Sequence, residues 1–288
     1  MTTHENDVRL DGKVAVVTGG SSGIGQYTAL ELARMGATVV ITARNAQRLA
    51  ETAAWLKSKV PGAVIEAEQV DFAALGSVRA MAARVMEHHP KIAILINNAG
   101  LVMARRTVTE DGFEAIFQIN HLAPFLLTNL LMPALNADGK ARIVTVASNA
   151  STRSIIDFND LQLEQGWGPM RVYGRSKLMN ILFTVELARR LKGTGITTNA
   201  LHPGFVGSRI GNKGWAVDWL WALIKPFVLS PAQGAETPVF LATSPAVAEI
   251  SGEYFYKKKP IRANALAYDA DAGRRLWQVS AEMTGIEP

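Results

Sequence analysis

Residues 13–42 constrain the fold of this chain more than any other stretch. They begin with a short apolar run of the kind that a buried parallel strand shows, KVAVVT at 13–18. A glycine-rich turn follows at once, GGSSGIG at 19–25, and a helical pattern of apolar residues then runs to Gly36. A second, β-branched strand follows, TVVIT at 38–42. This order of strand, glycine-rich turn, helix and strand is the first unit of a dinucleotide-binding fold.

The glycine-rich turn predicts a phosphate site. Glycines let the backbone approach a pyrophosphate, and the N-terminus of the next helix offers free N–H groups. An ordinary tight turn would also explain the glycines, but their place between a strand and a helix favours the binding function. We therefore expect a dinucleotide to contact Thr18, Gly19, Ser21, Ser22, Gly23, Ile24 and Gly25.

The end of the second strand predicts which dinucleotide binds. An acidic residue there would bond the ribose 2′-OH of NAD, whereas an arginine accommodates the 2′-phosphate of NADP. The residues are Thr42, Ala43, Arg44 and Asn45, with no acid among them, and Arg48 lies one helical turn further on. The sequence thus favours NADP(H), with Arg44 as the phosphate ligand, over a merely solvated Arg44.

The alternation of strands and helices continues along the chain. Helical patterns cover 45–58, 74–88, 110–136, about 169–192, 231–243 and 270–284, and extended patterns cover 63–68, 92–96, 141–147, 196–202 and 253–256. Such alternation predicts an α/β fold, a Rossmann-type doubly wound parallel sheet of about seven strands with helices on both faces. Without repeats or linkers, residues 1–288 are expected to form a single domain.

Composition excludes several classes of function. The chain has no cysteine, which rules out disulfides and iron–sulfur clusters, and its five histidines lack metal-ligand spacing, so we expect no metal. The net charge is +5, but the basic residues are scattered among acidic ones, which argues against nucleic-acid binding. The lysine run at 257–259 is interpreted as a solvated loop. No uncharged apolar run reaches the ~18 residues of a membrane span. We expect a soluble, cytoplasmic protein.

Polar and small residues follow the predicted strands, at the edge of the sheet where ligands of open α/β folds bind. Asp71 follows the third strand, where its carboxylate could meet an adenine amino group or cap the next helix. Ser148 follows the fifth strand. The fourth strand is followed by Asn98, Ala99 and Gly100, and the sixth by Pro203 and Gly204.

Tyr173 and Lys177 are four residues apart on a predicted helix, so they share one face. An ammonium one turn from a phenol favours the phenolate, which would lower the pKa of the tyrosine towards neutrality and make it a general acid or base. On its own the pair is common, and a surface pair is the simpler interpretation.

Residues 205–231 break the alternation with an aromatic, amphipathic patch that holds Trp215, Trp219 and Trp221. The patch could be core, a lid over an apolar substrate, or a peripheral contact with a membrane. We favour a substrate lid, because the patch directly follows a sheet edge that is rich in polar residues.

Taken together, these motifs resemble the short-chain dehydrogenase/reductase family over nearly the whole chain. The TGxxxGxG motif is at 18–25, NNAG at 97–100 and the PG turn at 203–204, and the catalytic Asn, Ser, Tyr and Lys match Asn120, Ser148, Tyr173 and Lys177. The segment between Ser148 and Tyr173, residues 120–128 and the tail at 275–280 are similar to the retinol dehydrogenase group. Two departures are Ala147, where a serine is common, and Ser208, where threonine is common. The polar start at 1–12 leads us to expect no counterpart of the N-terminal membrane anchor of many retinol dehydrogenases.

The resemblance implies the chemistry. NADPH gives hydride to a carbonyl carbon, Tyr173 delivers the proton to the oxygen, and Ser148 hydrogen-bonds that oxygen. Lys177 lowers the pKa of Tyr173 and binds the ribose, while Asn120 supports a water that links Lys177 to solvent. The expected cofactor contacts further along the chain are Asn98, Ala99, Gly100, Tyr173, Lys177, Pro203, Gly204, Val206 and Ser208.

We therefore expect an NADP(H)-dependent oxidoreductase that interconverts a carbonyl and an alcohol on a small apolar substrate. Residues 149–168 and 205–231 should complete its pocket. Two alternatives remain, reduction of a carbon–carbon double bond and a non-catalytic NADP-binding scaffold. Family members often form homo-oligomers through their long helices, so we expect the same association here by analogy.

Overall fold

The protein is described by a computed structural model over residues 8–205 and 229–287. The proposed lid at 205–231 lies almost wholly outside these residues, as do its Trp215, Trp219 and Trp221. The expected cofactor residues Val206 and Ser208 also lie outside them.

One twisted sheet organises the described part of the chain. Its strands are β1 Val14–Thr18, β2 Thr38–Ala43, β3 Ile65–Gln69, β4 Ile94–Asn97, β5 Arg142–Val146, β6 Thr197–Leu201, β7 Tyr254–Tyr256 and β8 Lys259–Ile261. They lie in the order β3-β2-β1-β4-β5-β6-β7-β8. The neighbours from β3 to β7 are parallel, and only β8 runs antiparallel to its neighbour. This confirms the expected doubly wound sheet and adds a short edge strand to it.

Helices cover both faces of the sheet. They are α1 Gly23–Arg34, α2 Ala46–Lys59, α3 Leu75–His88, α4 Ala115–Phe117, α5 Ala123–Leu130, α6 Met132–Leu135, α7 Pro169–Arg190, α8 Pro231–Thr243 and α9 Ala270–Thr284. Each face of the sheet has its own hydrophobic core, and successive strand residues point into opposite cores. Val16 packs with α3 and α5, whereas Val17 packs with α1 and α8. None of the described helices is both long and apolar enough to cross a membrane.

Helix α9 forms an outer layer on α5 and α7. The ring of Trp277 lies 5.1 Å from that of Phe125 and 5.8 Å from that of Phe183, measured between centroids. Leu276 packs in the cluster that holds Leu178. With this layer in place, every residue of α7 from Gly174 to Leu187 is buried. Almost four turns of that helix are therefore covered on all sides by the chain itself.

A five-residue π-helix, Gln118–Leu122, joins α4 to α5. Asn120 lies in its middle, and the residue four positions further on is Pro124. In an α-helix the amide of that residue would bond the Asn120 carbonyl, but proline has no N–H. The predicted long helix at 110–136 is thus interrupted, and π-turns of this kind often occur at functional sites.

Candidate active site

The order of the strands reverses between β1 and β4, and their carboxyl ends bound a crevice of the type in which open α/β sheets bind ligands. The Thr18 hydroxyl joins the two strands: it donates to the Ile96 carbonyl at 3.1 Å and accepts from the Asn98 amide at 2.9 Å. The Asn98 side chain donates back to the Thr18 carbonyl at 2.8 Å. Thr18 and Asn98 thus fix the two segments that the sequence predicted to hold a cofactor.

The glycine-rich turn brings α1 close to the strands and leaves open space beside its first residues. A Cβ atom at Gly25 would lie 2.5 Å from Asn98 Nδ2, so only glycine allows α1 to approach the strands so closely. Gly23 has a φ of +56°, and a Cβ there would meet no atom within 4 Å. The side chain of Ser22 makes no capping bond to α1, whose first turn has no acidic residue. The first amides of α1 and the open space beside Gly23 fit a pyrophosphate.

Arg44 follows β2, as predicted, and its side chain is exposed. Within the described ranges, its guanidinium forms no hydrogen bond or ion pair with other side chains, while its carbonyl accepts from Gln69 Nε2 at 3.0 Å. Asn45 caps α2 through a bond from the Arg48 amide at 2.8 Å. The chain therefore turns into α2 immediately after Arg44, which leaves this arginine at the crevice end of β2.

Asp71 closes a turn just ahead of α3, because its carboxylate accepts from the Ala73 amide at 2.9 Å. The first amide of α3, at Leu75, is bonded instead by the Asp111 carboxylate at 2.8 Å. Asp71 thus forms a local hydrogen bond to the backbone, which resembles the predicted capping interaction, but it does not cap α3 itself. Sequence reasoning missed Asp111, which lies 36 positions away.

The four expected catalytic residues come together at the crevice. The Tyr173 hydroxyl lies near Ser148, at the end of β5, close enough for that side chain to act on its pKa. Lys177 Nζ lies 5.7 Å from the centroid of the Tyr173 ring. A Cβ atom at Gly100 would lie 3.1 Å from Lys177 Nζ and 3.2 Å from Asn120 Oδ1, so these two side chains meet beside Gly100.

Burial shapes the titration of this group. Burial raises the pKa of Tyr173, and the nearby Ser148 side chain opposes that rise. The expectation of a lowered pKa is therefore wrong for this arrangement, in which desolvation outweighs the effect of Ser148. Burial also lowers the pKa of Lys177 to about 8. Its Nζ donates to the Val146 carbonyl at 2.9 Å.

The three residues between Tyr173 and Lys177 have structural roles that the sequence did not reveal. A Cβ at Gly174 would lie 2.5 Å from Ser154 Oγ. Arg175 is buried and donates from Nε to the Ile155 carbonyl at 3.0 Å. Ser176 donates to the Tyr173 carbonyl at 2.8 Å. Gly174 and Arg175 thus attach the 149–168 segment to α7 beside Tyr173.

The PG turn follows β6. Gly204 has a φ of +87°, which favours glycine, and a Cβ there would lie 2.7 Å from Leu229 Cδ1. The Gly204 amide donates to His202 Nδ1 at 3.3 Å. The His202 ring stacks on Tyr256, 4.1 Å between centroids. Pro203 and Gly204 therefore lie at the crevice edge, as predicted, where the His202 and Tyr256 rings support the turn.

His121, next to Asn120, is fully buried and stacks on Phe117 at 5.8 Å between centroids. Burial lowers its pKa to about 4. It also bonds Asn180 and Ser280, which do not titrate. Sequence reasoning gave His121 no role; the only signal was a polar pair in the middle of an apolar helical pattern.

The pKa of His121 predicts a loss of stability in acid. The ordinary pKa of 6.5 applies to the unfolded chain, so between pH 6.5 and about 4 only the unfolded state binds this proton. The stability present above pH 6.5 is therefore lost as the pH falls. Between pH 7 and 5 we expect the free energy of unfolding to drop by about 2 kcal/mol more in the parent protein than in His121→Asn. Urea unfolding at both values measures this, and equal drops would contradict the prediction.

Comparisons with known proteins agree with this geometry. A family model described as short chain dehydrogenase matches residues 13–216. Retinol dehydrogenase 12 of Mus musculus is 40% identical over 281 residues, which cover 98% of this chain and 89% of the mouse protein.

Two solved structures are similar over most of their length. A crystal structure of an uncharacterized protein from Mycobacterium paratuberculosis has a TM-score of 0.80 and 31% identity, covering 97% of this chain and 96% of that one. A blue fluorescent protein from a metagenomic library, in complex with NADPH, has a TM-score of 0.70 and 30% identity, covering 86% of this chain and 96% of that one.

Proposed function

Because the chain belongs to the short-chain dehydrogenase/reductase family, within which it is similar to the retinol dehydrogenases, we propose that it is an NADP(H)-dependent enzyme with Tyr173 as its general acid and base. As a member of this family it is a nicotinamide-dependent oxidoreductase of alcohol and carbonyl groups. The proposal adds the phosphorylated cofactor, the residue that transfers the proton and an apolar substrate.

The observation that carries this proposal is the convergence of Asn120, Ser148, Tyr173 and Lys177 beside the glycine-rich turn. A site that only binds a dinucleotide needs no phenol beside a serine hydroxyl at the crevice edge. The buried ammonium beside that phenol can stabilise the phenolate as well as bind a ribose. Together these groups are what proton transfer to a developing alkoxide requires.

The residues present fit NADPH. The first turn of α1 and the space beside Gly23 suit its pyrophosphate, and Arg44, exposed at the end of β2, suits its 2′-phosphate. A structural relative binds NADPH, which supports the same choice here. When bound, NADPH supplies a hydride to the carbonyl carbon.

The chain's own residues handle the oxygen of the substrate. Ser148 hydrogen-bonds the carbonyl oxygen and stabilises the charge that develops on it. Tyr173, whose pKa burial raises, is protonated at neutral pH and donates that proton to the same oxygen. Lys177 is mainly an ammonium below its pKa of about 8, and its positive charge favours the phenolate that remains.

The substrate is apolar in this proposal. Three large apolar side chains are exposed on segments that adjoin the crevice: Ile155 after β5, Met170 at the start of α7 and Phe205 after the PG turn, at 74%, 62% and 64% exposure. Contiguous apolar surface often marks a ligand or interaction site, and the proposal takes these three side chains to line one such surface. The retinol dehydrogenase relatives act, by their name, on an apolar alcohol.

A screen of NADPH consumption tests the function. The substrates are retinal, aliphatic aldehydes, aromatic aldehydes, ketones and steroids, each with NADPH and with NADH. We expect oxidation of NADPH with at least one apolar carbonyl and an alcohol as product. Products saturated at a carbon–carbon double bond would support the alternative reductase. NADPH binding without turnover of any substrate would support the scaffold.

Replacing Arg44 by alanine should change cofactor preference. Loss of one charge-assisted contact with the 2′-phosphate is worth about 1.5–3 kcal/mol, so the affinity for NADPH should fall about 10- to 100-fold. NADH lacks this phosphate, and its affinity should change less than about threefold. Titration of both dinucleotides by intrinsic fluorescence provides the measurement.

Two variants serve as controls for Arg44→Ala. Arg274→Ala removes the same charge from an exposed position on α9 and should leave both affinities close to those of the parent protein. Arg48→Ala tests the arginine on the next turn. An unchanged preference in Arg44→Ala, or a larger shift in Arg48→Ala, would show that Arg44 is not the phosphate ligand.

A further inference from the structure

The backbone carbonyl of Asn120 has lost its usual helical partner. Pro124 occupies the position whose amide would bond it, and a buried carbonyl without a partner is costly. Asn180 replaces that amide: its Nδ2 donates to the Asn120 carbonyl at 2.8 Å, across the contact between the π-helix and α7. Asn180 itself is buried, so no solvent competes for this bond.

This bond fixes the direction of a longer polar chain. Since Asn180 uses its NH₂ group on Asn120, its Oδ1 is the atom that faces His121 Nδ1, at 3.2 Å. An amide oxygen only accepts, so His121 must carry its proton on Nδ1. The neutral ring then has a bare Nε2, which accepts from the Ser280 hydroxyl at 3.0 Å. The donor and the acceptor are therefore fixed in each hydrogen bond of the chain that runs from Ser280 on α9 to the Asn120 carbonyl.

At its other end, Asn120 connects the crevice loop to α7. Its Oδ1 accepts from the Leu101 amide at 2.8 Å, and its Nδ2 donates to the Leu101 carbonyl at 3.0 Å. The same Nδ2 lies 3.1 Å from Ser176 Oγ. The orientation of Asn120 thus sets where the loop after β4 lies relative to Lys177.

We propose that Asn180 and His121 are positioning residues for the reaction. They hold the Asn120 backbone in the π-turn. Asn120 in turn fixes the position of the Gly100–Leu101 loop relative to Lys177. This role rests on the proposed function, because it assigns to both residues an effect on turnover. A buried polar chain in which each bonded atom has a defined partner favours one arrangement, whereas a purely apolar contact would not.

Two substitutions of His121 separate positioning from packing. Asparagine places an amide nitrogen close to the position of Nδ1, so His121→Asn keeps a donor for Asn180 and loses the contact with Ser280. Glutamine reaches the position of Nε2, so His121→Gln keeps the contact with Ser280 and loses the donor. Both remove the ring that packs on Phe117. We expect kcat to fall less than about fivefold in His121→Asn and about 100-fold in His121→Gln, with little change in the Kd of NADPH.

Asn180→Leu provides a second test with a similar side-chain volume. Leucine cannot donate to the Asn120 carbonyl, so kcat should again fall about 100-fold. Equal losses in His121→Asn and His121→Gln, or an Asn180→Leu variant as active as the parent, would overturn the proposal.

Nitrogen-15 NMR of the His121 ring gives a readout that needs no turnover. We expect the proton on Nδ1 in the parent protein, and a proton on Nε2 would overturn the chain of bonds. If the parent protein binds NADPH but reduces no carbonyl, the proposed function fails. The tautomer still decides whether the polar chain exists, so the two failures are distinguishable.

Discussion

Replacing Tyr173 by phenylalanine should lower kcat by about 10³-fold, because general acid catalysis by a positioned side chain contributes about 10²- to 10⁴-fold. The substitution removes only the hydroxyl near Ser148 and leaves the ring beside Lys177. The first turn of α1 and Arg44 are untouched, so NADPH should bind as before. Steady-state turnover and a fluorescence titration with NADPH measure the two effects separately.

Tyr268→Phe is the matched control. It removes the same atom from a phenol whose oxygen accepts from the Ala263 amide at 3.0 Å, in the short helical turn at 265–268. This variant should keep turnover within about twofold of the parent. If Tyr173→Phe also stayed within about tenfold, Tyr173 would not be the proton donor.

Lys177→Met should change activity and stability in opposite directions. Without the ammonium, kcat/KM should fall about 10²- to 10³-fold, as it does when one preorganised donor is removed. Yet the folded protein no longer has to bury a charge. The lowering of the Lys177 pKa from 10.5 to about 8 corresponds to about 3 kcal/mol of lost stability at neutral pH. Losing the bond to the Val146 carbonyl offsets about 1 kcal/mol of that gain.

The sign of this effect can be checked by varying pH. Between pH 8 and 10.5 the unfolded chain keeps a proton on Lys177 that the folded chain has released, so the parent protein gains stability from this group as the pH rises. The advantage of Lys177→Met in urea unfolding should therefore be about 2 kcal/mol at pH 7 and should vanish at about pH 10. A less stable Lys177→Met at pH 7, or one with parental activity, would contradict this account.

Much of the fold could be predicted from local patterns. Strand β1 lies within the apolar run at 13–18. Helix α9 coincides with the helical pattern at 270–284, with Asp269 and Gly285 as its caps. The edge strand β8 was missed, because Lys259–Ile261 has neither alternation nor an apolar run. It forms only because Lys257 and Lys258 adopt positive φ angles of 48° and 63° in the hairpin turn, a conformation that lysine rarely takes.

The site was predictable where chemistry dictates residue type and spacing, as for Tyr173 and Lys177. What could not be predicted depends on contacts between distant positions. Asn180 meets Asn120 from 60 positions away, and Ser280 meets His121 from 159. The raised pKa of Tyr173 likewise follows from burial, which spacing on a helix does not reveal.

The layer formed by α9 bears on quaternary structure. The homo-oligomer expected through the long helices stays a prediction, but from Gly174 to Leu187 α7 has no exposed face, because its own chain covers this stretch. A second copy could reach this stretch of α7 only after α9 had left, and that would expose Leu276 and Trp277 to water. An association between copies through residues 174–187 would therefore require α9 to be displaced. The helix that carries Tyr173 and Lys177 is supported within one polypeptide.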